Sequence, residues 1–194
     1  PGIHHFFNVL YYAILCMLIY FLLAKFLFPS KNRLFSFLIA LLFLIHPVHT
    51  EVVSNIKSRD EIFTFLFFIL SLILLLKYLD IRKIYILILS VFSYLLSLFS
   101  KENAIVFVLI IPLFLYFFRT IAVKDILRLM LPYLLMLSFF LVIRYMVISG
   151  RGAELTYLNN AILLYEGFFQ KYLMVFYILL LYIKLLFFPY PLIW

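Results

Sequence analysis

Apolar and polar positions along this chain follow neither the period of a surface helix nor that of a strand. They form long, nearly unbroken apolar runs separated by short polar clusters, at roughly 6–27, 33–46, 61–79, 83–100, 102–118, 126–148 and 168–188. A helix crossing a bilayer needs about 20 mostly apolar residues, fewer where a flanking Lys or Arg reaches the interface. In lipid every backbone N–H and C=O must be bonded within the protein, which leaves helices or closed barrels. Short segments of alternating polarity, the mark of a barrel, are missing. The pattern therefore predicts an all-α, polytopic transmembrane helix bundle with about seven spans.

Composition removes the other classes. Of the 194 residues 69% are hydrophobic and 12% charged, and mean hydropathy is +1.23. A soluble fold cannot hide that much apolar surface, so a soluble enzyme, a secreted disulfide scaffold and a disordered tail are excluded. The net charge of +8 would suit a nucleic acid, but the cations stand in clusters between apolar runs, as they do in cytoplasmic loops. No nucleic-acid partner is expected. Cys16, the one cysteine, lies inside an apolar run and reads as a small buried hydrophobe. The chain starts at Pro1 without a basic leader region and stops at Trp194 directly after an apolar segment. It reads as a fragment of a longer membrane protein, with no internal repeat or domain boundary.

Loop charge sets an expected orientation. Segments 25–33, 77–83 and 119–128 carry Lys25, Lys31, Arg33, Lys77, Arg82, Lys83, Arg119, Lys124 and Arg128 against Asp80 and Asp125, which assigns them to the cytoplasm. The opposite side then holds 1–5, 46–61, 100–102 and 149–167, where Glu51, Asp60, Glu61, Glu102, Glu154 and Glu166 collect. The polar chemistry is thus expected on the face turned away from the cytoplasm.

The densest set of ionisable groups runs from His46 to Glu61. Pro47 biases His46 away from helical dihedrals and suits the first position of a new helix. On that helix Val48, Val52 and Ile56 share one face and Thr50, Glu51, Ser54, Lys57 and Ser58 the other, which predicts a short amphipathic helix on the membrane surface. Arg59, Asp60 and Glu61 open the next span at membrane depth, where a charge marks a functional site by default. A guanidinium offers a planar fork of donors matched to phosphate or carboxylate; the plainer alternative is an Arg paired with Asp60, Glu61 or Glu51. Asp60 and Glu61 also complement a helix dipole in its first turn. His46, His49 and Glu51 lack the helical H-E-x-x-H metal pattern, and His49 leans away from Glu51, so a hydrogen-bonding or substrate-positioning role is expected and no metal site. Lys101-Glu102 form a second polar interruption, also readable as an ordinary turn. Gly150, Arg151, Gly152 and Glu154 read as a loop. His4-His5 precede the first span, and Asn8 sits one turn into it, where a polar residue normally faces protein.

Taken in order, these stretches resemble the GT-C membrane glycosyltransferases, and most closely the protein O-mannosyltransferase-like branch that carries tetratricopeptide repeats after its spans. Pro1 with His5-Phe6-Phe7-Asn8 resembles the Pro and His-x-x-Asn that open this region in members. His46-Pro47-Val48-His49-Thr50-Glu51 and Arg59-Asp60-Glu61 resemble their His-Pro-x-His-x-Glu loop and Arg-x-Asp/Glu helix start. Lys101-Glu102 and Phe188-Pro189 resemble later landmarks. Where members carry a His four residues after the Asn, this chain has Tyr12.

The resemblance implies a partial GT-C-type domain over 1–194, lacking a first span and outer loop upstream and the repeats downstream. It implies transfer of a sugar, expected to be mannose, from a polyprenyl- or dolichyl-phosphate donor to an acceptor hydroxyl on protein Ser/Thr or on a glycan. The setting would be a bacterial plasma membrane or the endoplasmic reticulum, with the site facing away from the cytoplasm. Membrane lipid, the donor and the acceptor are the implied partners; beyond the donor no cofactor is firmly implied, and a divalent metal is not expected. The catalytic base is expected upstream of Pro1, with Glu51 and Glu61 in support. Arg59, His46, His49, Lys101, Glu102, His5 and Asn8 would bind substrate. Two other readings of the residues themselves remain: a multi-pass transporter, and a membrane anchor without chemistry.

Overall fold

The computed structural model of the protein describes residues 2–149 and 167–189, apart from the Ile56 side chain. Among them every regular element is a helix. Helix α1 (Gly2–Leu22) runs on through a π-turn at Leu23–Leu27, closed by Phe28 N–H donating to the Leu23 carbonyl at 2.9 Å. Asn32 caps α2 (Arg33–Ile45) by accepting the Leu34 N–H at 3.1 Å, the job Asn does best at a helix start. His46 is extended (φ −66°, ψ 123°), as a residue before proline prefers, and Pro47 opens a 3₁₀ turn over Pro47–His49.

The stretch after this turn departs from the expected amphipathic helix. Only α3 (Thr50–Ser54) is α-helical there. Asn55 is extended (φ −87°, ψ 121°), and its side chain accepts the Lys57 N–H to start a fresh 3₁₀ turn at Ile56–Ser58. The Asn side chain competes with the helical bond and breaks the run. Helix α4 (Arg59–Ile81) then ends on Arg82 in the left-handed region (φ 61°), which permits a tight hairpin into α5 (Ile84–Ser100). A 3₁₀ turn at Glu102–Val106 leads into α6 (Phe107–Phe118), followed by α7 (Val123–Ile148) and α8 (Phe168–Phe187).

All seven apolar runs are helical, but they do not all have spanning length. Four helices are long and apolar enough to cross a membrane, namely Gly2–Leu27, Arg59–Ile81, Val123–Ile148 and Phe168–Phe187; counting the pair Arg33–Ile45 and Pro47–Ser54, bent by 50°, gives up to five. Ile84–Ser100 and Glu102–Phe118 are shorter apolar helices. At 1.5 Å per residue an α-helix the length of α5 reaches only about 25 Å, less than the ~30 Å hydrocarbon core. The chain divides into two compact units, 1–145 and 146–194. Helix α8 lies in the second, and the loop around Gly150 to Glu154, with Glu166, lies outside the described residues.

In the first unit the interior is polar where small residues meet and the exterior is apolar. The antiparallel α4–α5 pair is zipped by two rungs in one register. Ser97 Oγ donates to the Thr64 carbonyl at 2.7 Å, and Ser71 and Ser90 each donate to the other's carbonyl at 2.8 and 2.6 Å. Ser71, Ser90 and Ser97 are completely buried, whereas Leu109, Phe117, Leu127 and Leu135 on α6 and α7 are largely exposed. Helix association in lipid uses small residues for close approach and hydroxyls for bonding, and the apolar exterior suits hydrocarbon.

Ion pairs sort the loops onto two ends. Arg119 reaches Asp80 at 3.5 Å, joining two segments that loop charge assigns to the cytoplasm. Lys101 pairs with Glu61 and with Asp60, and Arg144 with Glu102, all at the other end. The grouping agrees with the loop assignment, and it is independent of which end faces the cytoplasm.

Candidate functional site

The end that carries Glu61 and Lys101 gathers most of the residues singled out in the sequence. Arg59 opens α4 and reaches back to the start of α1. Its Nε donates to Asn8 Oδ1 at 2.9 Å, one terminal nitrogen donates to the His4 carbonyl at 3.0 Å, and the guanidinium lies 5.9 Å from the centre of the Tyr11 ring. Asn8 is completely buried, and its Nδ2 donates to the carbonyls of Val53 at 3.3 Å and Asn55 at 3.0 Å. These carbonyls lie where α3 ends, and the Asn55 carbonyl also accepts the Ser58 N–H at 3.1 Å, closing the following 3₁₀ turn. One carboxamide thus joins α1, the end of α3 and the start of α4.

Beside this node is a cavity of about 290 Å³ lined by His5, Tyr12, His46, His49, Thr50 and Ser54, with Leu44, Ile45 and Val53 completing the wall. Proline sets this arrangement. By stopping α2 at Ile45 it turns His46 and His49 back over α1, and the His46 ring caps the turn by accepting the Val48 N–H at 3.2 Å. His49 packs 4.4 Å from the Phe43 ring and 5.7 Å from Tyr12. The Tyr12 hydroxyl lies 3.2 Å from the Phe43 carbonyl and 3.1 Å from the Leu44 carbonyl and shares its one proton between them, so it closes the last turn of α2. Directly next to the cavity, and sharing Leu44 with it, an apolar groove of about 510 Å³ runs between α1 and α2, floored by Ala13, Cys16 and Ala40.

Lys101, Asp60, Glu61, Glu102 and Arg144 form ion pairs of their own. Lys101 stands between Glu61, which it contacts closely, and Asp60 at 3.8 Å. The Glu61 hydrogen bond holds the Lys101 ammonium above the ordinary lysine range; burial opposes this, and the charges of Glu61 and Asp60 add to it. Glu102 is taken by Arg144. Glu51 is exposed in the first turn of α3 and has no bonded partner among the described residues. The structure therefore brings Asn8, Arg59, His5, His46 and His49 around one corner, pairs Glu61 with Lys101 and Glu102 with Arg144 at the same end, and leaves Glu51 apart. Among the described residues no group of three His, Cys, Asp or Glu side chains could hold a metal ion.

Two residues of this end escaped the sequence reading. Arg144 is a cation inside an apolar run, the same signal that drew attention to Arg59. Tyr12 was visible only as a departure from a pattern, because its contacts join residues more than thirty positions apart.

The fold and this polar end define the class: a helical membrane protein with a bonded cation and a polar cavity at one end of its bundle. Among curated proteins, the chain is 37% identical over 71 residues to the protein O-mannosyl-transferase TMTC1 of Mus musculus, a match covering 37% of this chain and 7% of that protein. It is 34% identical over 71 residues to the protein O-mannosyl-transferase TMTC1 of Homo sapiens, covering 37% of this chain and 8% of that protein. The chain thus matches less than a tenth of the length of these relatives. No family model matches the chain, and no solved structure does. The similarity is local, confined to 71 residues.

Proposed function

We propose that this chain forms part of a GT-C-type membrane glycosyltransferase that moves a sugar, mannose in this reading, from a polyprenyl- or dolichyl-phosphate donor to an acceptor hydroxyl on protein Ser/Thr. The reaction would take place on the face turned away from the cytoplasm, in a bacterial plasma membrane or the endoplasmic reticulum. The observation that carries the proposal is the anchoring of Arg59 by Asn8 and the His4 carbonyl, beside a polar cavity that adjoins an apolar groove. A donor with a phosphate head and a hydrocarbon tail needs those three things together.

In this reading the acceptor oxygen attacks the anomeric carbon, the bond from that carbon to the phosphate oxygen breaks, and lipid phosphate leaves with the electron pair. Arg59 meets the charge that develops on the departing phosphate, with its donors already oriented. The hydroxyl proton goes to a carboxylate base, which belongs to the part of the protein ahead of Pro1. The His5, His46 and His49 cavity holds the sugar or acceptor, the α1–α2 groove admits the tail, and Glu61, Lys101 and Glu102 hold the flanking turns. The charges pair at the ends of the helices, which is unlike the mid-membrane sites of transporters.

Arg59→Ala in the full-length protein, assayed with a radiolabelled lipid-phosphate sugar, is expected to lower transfer by about 100-fold. Wild-type transfer by this variant would remove Arg59 from the mechanism.

A further inference from the structure

We infer that Asn8 is a positioning residue that acts on the lipid-phosphate donor through Arg59, and that its carboxamide is the one side-chain chemistry able to do so at this point. The inference rests on the role proposed for Arg59 and adds a second residue to it.

Three groups converge on Asn8, and they make opposite demands. The Val53 and Asn55 carbonyls accept from it, the latter alongside the Ser58 N–H, and the Arg59 Nε–H donates to it. A carboxamide supplies both donor and acceptor from adjacent atoms. A carboxylate would accept from Arg59, yet it would turn a second oxygen toward two carbonyl oxygens and would neutralise the guanidinium against its own protein. A hydroxyl has only one proton to give. Asn8 holds Arg59 without cancelling its charge. Because Asn8 is completely buried, it can touch donor or acceptor only through what it holds.

The consequence for Arg59 is directional. A free arginine side chain samples many rotamers, and each must be lost on binding. Here Nε is tied to Asn8, one terminal nitrogen to the His4 carbonyl, and one face lies near Tyr11. The second terminal nitrogen, Nη1, makes no bond among the described residues. A guanidinium held on one edge offers the other edge at fixed position, and preorganisation of that kind raises affinity by lowering the ordering cost. The same carboxamide fixes the end of α3, so the His46–Ser54 wall of the cavity and the cation are held by one group.

The test is a double-mutant cycle in the full-length protein reconstituted in nanodiscs, with a short-chain polyprenyl phosphate as the binding probe. Asn8→Ala alone is expected to weaken binding about tenfold, the effect of losing one hydrogen bond to a charged group. Arg59→Lys, which keeps the charge and lacks Nε, is expected to weaken it to a similar degree. In the Arg59→Lys background Asn8→Ala should then change binding less than twofold, because the interaction it served is gone. Additive losses would overturn the inference and leave Asn8 as a structural bond only. Should Asn8→Ala fail to fold, Asn8→Ser takes its place with ¹⁵N-arginine labelling. Slow exchange of the Arg59 Nε proton in the parent and fast exchange in the Ser variant is expected, and equal rates in both would overturn the inference. Arg59→Ala separates the two layers: unchanged probe binding refutes the role of Arg59 itself, whereas lost binding with an inert Asn8→Ala refutes only the role of Asn8.

Discussion

The bundle contains two polar clusters of similar size in very different states. Halfway along α4 and α5, Ser71, Ser90 and Tyr133 bond one another, with Ser90 Oγ 2.6 Å from the Tyr133 hydroxyl, and all three are completely buried. At the end of the bundle Asn8 and Arg59 bond each other beside the cavity histidines, but that cluster includes a full charge and borders open volume. The inner cluster uses neutral hydroxyls that close on themselves and on backbone carbonyls, and nothing is left for a ligand. The outer cluster is built from a guanidinium whose donors outnumber its protein partners. A polar group inside an apolar protein is thus no sign of function by itself; unspent bonding capacity beside a cavity is.

The largest effect that would sharpen this contrast is a cross-comparison of Ser90→Leu and Arg59→Ala. Ser90→Leu forces a larger side chain into the α4–α5 seam and leaves the Tyr133 hydroxyl without its partner. A loss of about 3 kcal/mol in stability is expected, read by thermal unfolding in detergent, with the surviving folded fraction still binding polyprenyl phosphate. Arg59→Ala should do the reverse, losing the ligand with a much smaller change in stability. If both variants lose stability and binding together, the two clusters are not functionally separate.

The same contrast explains what could be read from the sequence. Helix positions follow from the apolar runs, because in lipid the backbone has no other economical choice, and the ends agree closely. The run read at 61–79 is Arg59–Ile81, and the run at 168–188 is Phe168–Phe187. Two things did not follow. The break at Asn55 depends on one side chain bonding two residues ahead, a choice that hydropathy does not encode. The span count depends on length against bilayer thickness, and α5 and the Glu102–Phe118 run fall between a buried helix and a spanning one. At the candidate site, residue types and their order marked Asn8, Arg59, His46 and His49 as of interest, since each interrupts an apolar pattern. That Asn8 meets Arg59 could not be read, because they are separated by 51 positions. That Arg144 takes Glu102 could not be read either, because pairing across helices follows from packing.

A finer comparison lies inside the inner cluster. Tyr133 and Tyr94 are both fully buried, with ring centres 5.7 Å apart. The Tyr133 hydroxyl bonds Ser90, whereas the Tyr94 hydroxyl is buried without a hydrogen-bond partner among the described residues. Removing a bonded hydroxyl leaves its partner unsatisfied, and removing an unbonded one relieves a desolvation penalty. Tyr133→Phe is expected to destabilise by about 1 kcal/mol, while Tyr94→Phe should be neutral or stabilising by up to about 1 kcal/mol. Paired unfolding curves check this, and a destabilising Tyr94→Phe would mean that a polar partner reaches that hydroxyl.

The smallest expected effect concerns the Lys101 ion pair that flanks the outer cluster. Lys101 contacts Glu61 and lies 3.8 Å from Asp60, all three only partly buried. Solvent screening keeps such pairs below about 1 kcal/mol. Because Glu61 holds the Lys101 ammonium above the ordinary lysine range, the folded state binds that proton more tightly than the unfolded state does. The contribution is therefore complete below the unfolded lysine value of about 10.4. It fades as pH climbs from there through the higher folded value. Lys101→Met should lower the unfolding temperature slightly at pH 7.5, and the gap to the parent should narrow by pH 11. A gap that holds its size at pH 11 would assign the contribution to the alkyl stem of Lys101, and the turn between α5 and α6 would then be held by packing and not by charge.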